Sequence, residues 1–186
     1  MGSSIVQNKD YTNHLTKDFR FIEYVHLNKN FIESIDYSNL DIELIEDLIN
    51  RDDLTNEELE ILAKAIGYED IDSFKSFNNY QNKLILELDK EFHILSLSEV
   101  ELYDSVLLVL NDDNNTTYNM GCFCDRKRSN CQMNAVAQLV LANIGCAAAD
   151  VTIILGLMCH AAATTYGSTM LNNCELEYQI CKKNCG

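Results

Sequence analysis

Proline and tryptophan are absent from the 186 residues, and cysteine is absent from the first 121. Without proline, no residue forces a helix to stop, which suits helical structure, although composition alone is a weak guide. Without cysteine, residues 1–121 hold no disulfide framework and no thiolate metal site. Basic residues are scarce there too: 9 Lys/Arg stand against 25 Asp/Glu, a balance of −16, within a chain whose net charge is −15. Such a surface repels phosphates and argues against nucleic acid as a partner. Paired histidines are also missing. His14, His26 and His93 are scattered without ligand spacing, and nothing in this region reads as catalytic, so no enzyme is expected.

The opening "MGSSIVQNKDYTNHLTKD" lacks the basic n-region and apolar h-region of a secretory signal. A secreted product is therefore expected to use a dedicated exporter, or to have had its signal replaced by an "MGSS" expression start. Val6 occupies the position where myristoylation needs Ser or Thr.

What is present falls into two chemically different parts. Residues 16–110 read as a run of short amphipathic helices. In "LTNEELEILAKAIGY", Thr55 and Glu58 form a capping box, Leu59, Leu62, Ala63 and Ile66 recur at helical spacing, and Gly67 is the C-cap. Ser98 and Glu101 repeat the capping signature. Leu40, Leu44, Ile45, Leu48 and Ile49 make another stripe; Leu84, Ile85, Leu88, Phe92 and Leu95 make a fourth. Acidic residues of 33–60 mostly fall off the stripes, as on a solvated face. "NDDNNTTYNMG", residues 111–121, cannot bury a core and reads as a linker. Met120–Gly121 marks a candidate processing site, without the double glycine of exported leaders and with Asn115 where such leaders carry a hydrophobe.

Residues 122–186 balance 5 basic against 4 acidic residues and hold all eight cysteines: Cys122, Cys124, Cys131, Cys146, Cys159, Cys174, Cys181 and Cys185. That density belongs to disulfide scaffolds of oxidising compartments, and the even count allows full pairing. The successive gaps are 1, 6, 14, 12, 14, 6 and 3 residues, with a palindromic middle. Folding the chain between residues 152 and 153 sets Cys146 opposite Cys159, Cys131 opposite Cys174 and Cys124 opposite Cys181, with Cys122 and Cys185 nearly opposite. On two antiparallel helices at about 100° per residue each set of three forms a stripe roughly 60° wide. Gly145 and Gly156 are the places where the arms would break into shorter helices. Metal ligation fits the spacing poorly, because structural zinc sites use short Cys-x2-4-Cys pairs in fours; no cofactor is expected.

Between the cysteines, residues 129–149 and 151–174 carry no formal charge, and only Asp150 separates them. Each stretch approaches the roughly 20 residues that span a bilayer, but Gln, Asn and Thr within them suit a buried hairpin better. The cluster Arg126, Lys127 and Arg128 would meet anionic head groups if the peptide acts on a membrane, or would be a solvated turn.

"GCFC", "GCAAA", "LGLMC" and the closing "CELEYQICKKNCG" resemble the cysteine-rich peptides of halocin-type bacteriocin precursors over residues 120–186. The opening Cys-x-Cys-x6-Cys is similar to fulvocin-related peptides. The resemblance implies a long precursor with an all-α fold: an acidic helical leader or immunity region over 1–110, a linker at 111–121 cut near Gly121, and a small disulfide-rich helical hairpin or bundle over 122–186. It implies secretion, an export machinery and a processing protease. It also implies action on a bacterial membrane or a receptor in it, and binding of the acidic region to its own C-terminal peptide. Two other readings stay open. One is a secreted helical binding or inhibitor module whose parts remain joined. The other is a thioether-modified peptide using Thr164, Thr165, Ser168 and Thr169.

Overall fold

A computed structural model describes residues 14–51, 53–113, 123–149 and 152–184. Among them there are seven α-helices and no strand: α1 Phe19–Ser34, α2 Ile42–Ile49, α3 Asn56–Ala65, α4 Ile71–Phe92, α5 Glu99–Asp113, α6 Phe123–Ala149 and α7 Ile153–Asn184. The fold is all-α, as expected.

Local chemistry sets most of the helix ends. Asp18 caps α1 by accepting from the Arg20 amide at 2.9 Å. The Arg20 guanidinium returns to Asp18 and reaches Glu91 on α4, both at 2.6 Å. At α3 the Glu58 amide donates to Thr55 Oγ1 at 3.3 Å, and the Thr55 amide donates to Glu58 at 2.8 Å. The Thr55 amide, the Thr55 hydroxyl and the Arg51 guanidinium all donate to the Glu58 carboxyl and push it down to about 2. Gly67 closes α3 with φ +100°. Tyr68 N–H bonds to Ala63 C=O and Gly67 N–H to Lys64 C=O, the paired C-terminal arrangement that a left-handed glycine permits. Ser98 and Glu101 form the second box. A third, Asp70 with Ser73, starts α4. His93 ends α4 at φ 45°, so Leu95 leaves the helical stripe and is partly exposed.

The stripes bury along most of their length; Leu44, assigned to the second stripe, is exposed instead, because α2 turns Ile45 and Leu48 to the core. Ile45, Leu48, Leu59, Leu62, Ala63 and Ile66 from α2 and α3 join Tyr68 and Phe74 in one cluster, which also takes Leu157 and Ala161 from α7. A second cluster draws on α1, α4 and α5, and on Val136, Leu139, Val140 and Ile144 of α6. The acidic and cysteine-rich parts therefore share both cores. The linker assigned to 111–121 is narrower than expected, because α5 runs through Asp113; the rest of that segment lies outside the described residues.

The two C-terminal helices are long. α6 has 27 residues and α7 has 32, about 40 and 48 Å at 1.5 Å per residue. Neither breaks at Gly145 or Gly156. A mid-helix glycine costs about 1 kcal/mol, less than the packing and crosslinks along these helices supply. Gly167 has a positive reason to be there. A Cβ on it would lie 2.4–2.8 Å from the side chain of Leu139, which is itself buried. Gly145 meets nothing within 4 Å. Gly145→Ala is thus expected to raise stability by about 0.5–1 kcal/mol. Gly167→Ala should lower it by about 1–3 kcal/mol through overpacking. Thermal unfolding of the two variants checks the opposite signs.

Candidate functional site

The most distinctive chemistry of the chain lies along the α6–α7 seam. Cys124 is bonded to Cys181, Cys131 to Cys174 and Cys146 to Cys159, with Cα–Cα distances of 5.6–5.7 Å. The three bonds share one antiparallel register centred between residues 152 and 153, the register that the palindromic gaps suggest. Cys122, Cys185 and Gly121 lie outside the described residues, and with them the fourth pair and the processing site.

Register matters because helical side chains repeat every 3.6 residues. Once the thiols of α6 face α7, the opposite side of α6 turns Val136, Val140 and Ile144 toward α1, α4 and α5. All three bonds lie inside the hairpin, and among the described residues no disulfide joins it to the N-terminal helices.

The open end of the hairpin is charged. Arg128 pairs with Glu175 at 2.7 Å and lies over the Tyr178 ring at 4.7 Å. Lys127 pairs with Glu177 at 3.2 Å and Lys182 with Asp125 at 3.3 Å. The Tyr178 hydroxyl donates to Asp125 at 2.9 Å. That bond, followed by the one from Lys182, holds the Asp125 carboxyl below its ordinary range. Two of the three cations in the Arg126–Arg128 cluster are thereby engaged within the hairpin, while Arg126 is exposed.

At its other face the hairpin meets a buried polar layer that interrupts the apolar stripes. Asn143 of α6 donates to Asn28 Oδ1 on α1 at 2.6 Å, and Gln81 of α4 donates to the same oxygen at 3.3 Å. Asn28 in turn donates to Tyr24 C=O at 2.9 Å. Nearby, His160 Nε2 of α7 lies 3.3 Å from Asn78 Oδ1 on α4, with its ring edge-on to Phe74. All five polar side chains are buried. They were findable: Asn28 and Gln81 sit where their helices' apolar stripes call for an apolar residue. Beside this layer a groove of about 910 Å³ opens between α5 and the hairpin, lined by Leu95, Val100, Tyr103, Leu141, Gly145 and Tyr166 among others.

No group of metal-ligating side chains occurs among the described residues, and no helix there is long and apolar enough to cross a membrane. Three disulfides fit an oxidising, extracellular-type compartment. The site is therefore a disulfide-stapled helical hairpin clasped by an all-α, acidic region. No protein-family model, curated protein or solved structure matches the chain.

Two predictions follow from the seam and the layer. Chain entropy ties a disulfide's contribution to the loop it closes. Nesting removes the advantage of the 57-residue span of Cys124–Cys181. With Cys131–Cys174 intact, the outer bond closes only seven residues on each helix, comparable to the 13-residue span of Cys146–Cys159. Replacing either pair by alanine should therefore cost about 3 kcal/mol in each case. Denaturant unfolding would check this, and a much larger loss for the outer pair would contradict the nesting. Separately, Asn28→Leu strands the donors of Asn143 and Gln81 and should cost about 2–4 kcal/mol. Leu86→Asn, on the exposed face of α4, should stay within about 0.5 kcal/mol.

Proposed function

We propose that the chain is the precursor of a secreted, disulfide-rich antimicrobial peptide. In this reading the N-terminal helices sheath the α6–α7 hairpin, and cleavage in the 114–121 segment frees it to act on the membranes of competing cells. One observation carries the reading. All described crosslinks lie C-terminal to that segment, while the contacts across it are noncovalent. A single cut there leaves the peptide stapled and severs its only described chain connection to the sheath.

The energetics suit a sheath that lets go. Val136, Val140, Ile144 and Leu157 are buried in clusters shared with N-terminal residues, a gross gain of roughly 6–12 kcal/mol at about 1.5–3 kcal/mol each. As one chain the two parts keep that gain. As two molecules they also bear an association cost of about 4–15 kcal/mol. Charge changes in the same step, from −15 for the chain to +1 for residues 122–186, which removes the repulsion that anionic head groups exert on the precursor. The shared cores favour one alternative, a binding or inhibitor module whose parts never separate.

Purified 122–186 is expected to release dye from anionic vesicles, and residues 1–115 added in trans should suppress the release. A peptide that leaves both vesicles and sensitive cells untouched would move the joined binding module ahead.

A further inference from the structure

Three consecutive large hydrophobic side chains are exposed at the closed end of the hairpin. Ile153 is 48 % exposed, Ile154 38 % and Leu155 52 %. They form the first turn of α7, capped by Thr152 Oγ1, which accepts from the Leu155 amide at 3.2 Å. A run of three large exposed apolar residues on a folded surface marks a contact site.

Charge along the hairpin says what kind of contact. All the charged side chains of α6 and α7 lie at the open end, in 125–128, 175–177 and 182–183. From the Cys131–Cys174 bond to the closed end, neither helix carries a formal charge. Phe123, Leu176 and Ile180 are exposed at the open end too, but they stand among those ions. The hairpin is thus polarised lengthwise: an ionic end, an uncharged shaft crosslinked at both extremes, and an apolar tip that follows Asp150, the one formal charge of residues 129–174. The groove beside Leu141 and Gly145 adds further apolar surface to the tip half of α6.

We infer that Ile153, Ile154 and Leu155 are a lipid-docking tip, which enters the interface of a neutral bilayer while the ionic end stays in water. This rests on the membrane-acting reading above and names the surface that would carry it. The partner is a bilayer because the shaft behind the apolar tip offers no ion on either helix for a protein surface to pair, the one formal charge of residues 129–174 being Asp150 between the helices, so the tip enters the interface without the hairpin crossing it. Spanning is not required, since no described helix is long and apolar enough for that. The bilayer is neutral for the intact chain because α2 packs against the same stretch of α7, around Leu157 and Ala161, and carries exposed Glu43, Glu46 and Asp47.

The absence of tryptophan makes the test clean. Leu155→Trp, Leu176→Trp and Leu86→Trp place one fluorophore at the tip, the ionic end or α4 of the full chain. All three sites are more than half exposed, so the fold tolerates them, and circular dichroism checks this. With phosphatidylcholine vesicles bearing brominated acyl chains, the Leu155→Trp protein should shift to the blue and lose emission by about twofold or more, as burial to the acyl boundary requires. The other two should not change, and added phosphatidylglycerol should weaken the effect.

Equal quenching at Leu176→Trp or Leu86→Trp, or none at Leu155→Trp, overturns the tip. So does quenching that grows with phosphatidylglycerol. A concentration-dependent blue shift of the Leu155→Trp protein without lipid also overturns it, by assigning the patch to a second copy. Dye release by 122–186, measured in parallel, separates the two ideas. Release without quenching at Leu155→Trp sinks the tip and leaves the membrane reading standing. Quenching without release supports the tip as a docking surface and counts against killing by permeabilisation.

Discussion

The covalent register between α6 and α7 is the constraint on which the remaining structure depends. Three bonds at one antiparallel offset leave α6 no freedom to slide or rotate against α7. That fixes which residues of α6 face outward, and so which surface α1, α4 and α5 can pack on. The same restriction explains the close approach at Gly167, where the Leu139 side chain occupies the space a Cβ would need. A one-residue slip would turn a helix by about 100° and carry Val136, Val140 and Ile144 out of the core.

Around that hairpin the acidic region supplies two different kinds of contact. Aliphatic side chains give affinity without much directional preference. The Asn28–Gln81–Asn143 group and the His160–Asn78 pair add direction, because a buried amide that misses its partner is costly. A wrong docking of the hairpin would break both bonds that cross to it, Asn143–Asn28 and His160–Asn78. The layer therefore specifies the position of the hairpin within its sheath more than it stabilises it. Its placement in the interface, away from the disulfide seam, keeps the two functions separate.

Charge is arranged along the hairpin with similar economy. The ion pairs Arg128–Glu175, Lys127–Glu177 and Lys182–Asp125 are exposed and individually weak. Their shared location matters more than their strength, since it leaves the rest of both helices uncharged. Residues 1–121 carry a balance of −16 and residues 122–186 one of +1, so almost all of the charge that repels an anionic surface lies N-terminal to the hairpin.

Much of this was legible in the residues. Thr55, Glu58 and Gly67 mark the ends of α3, because capping is local chemistry among residues a few positions apart. The all-α class follows from apolar stripes at helical spacing. The cysteine palindrome points to one antiparallel register, because crosslinks on two facing helices must mirror each other about the turn. Other features needed the tertiary structure. Gly145 and Gly156 read as breaks, yet α6 and α7 run through them, because packing outweighs a local penalty near 1 kcal/mol. Asn28, Gln81 and Asn143 lie up to 115 residues apart in the chain, and only packing brings them to one oxygen. That the hairpin shares its core with the acidic helices was decided at the same level. Sequence alone determined which faces are apolar and where helices begin, and its cysteine spacing suggested which thiols meet; which apolar face covers which is a long-range choice, settled by shape and by the placing of buried amides such as Asn28 and Asn143 within reach of each other.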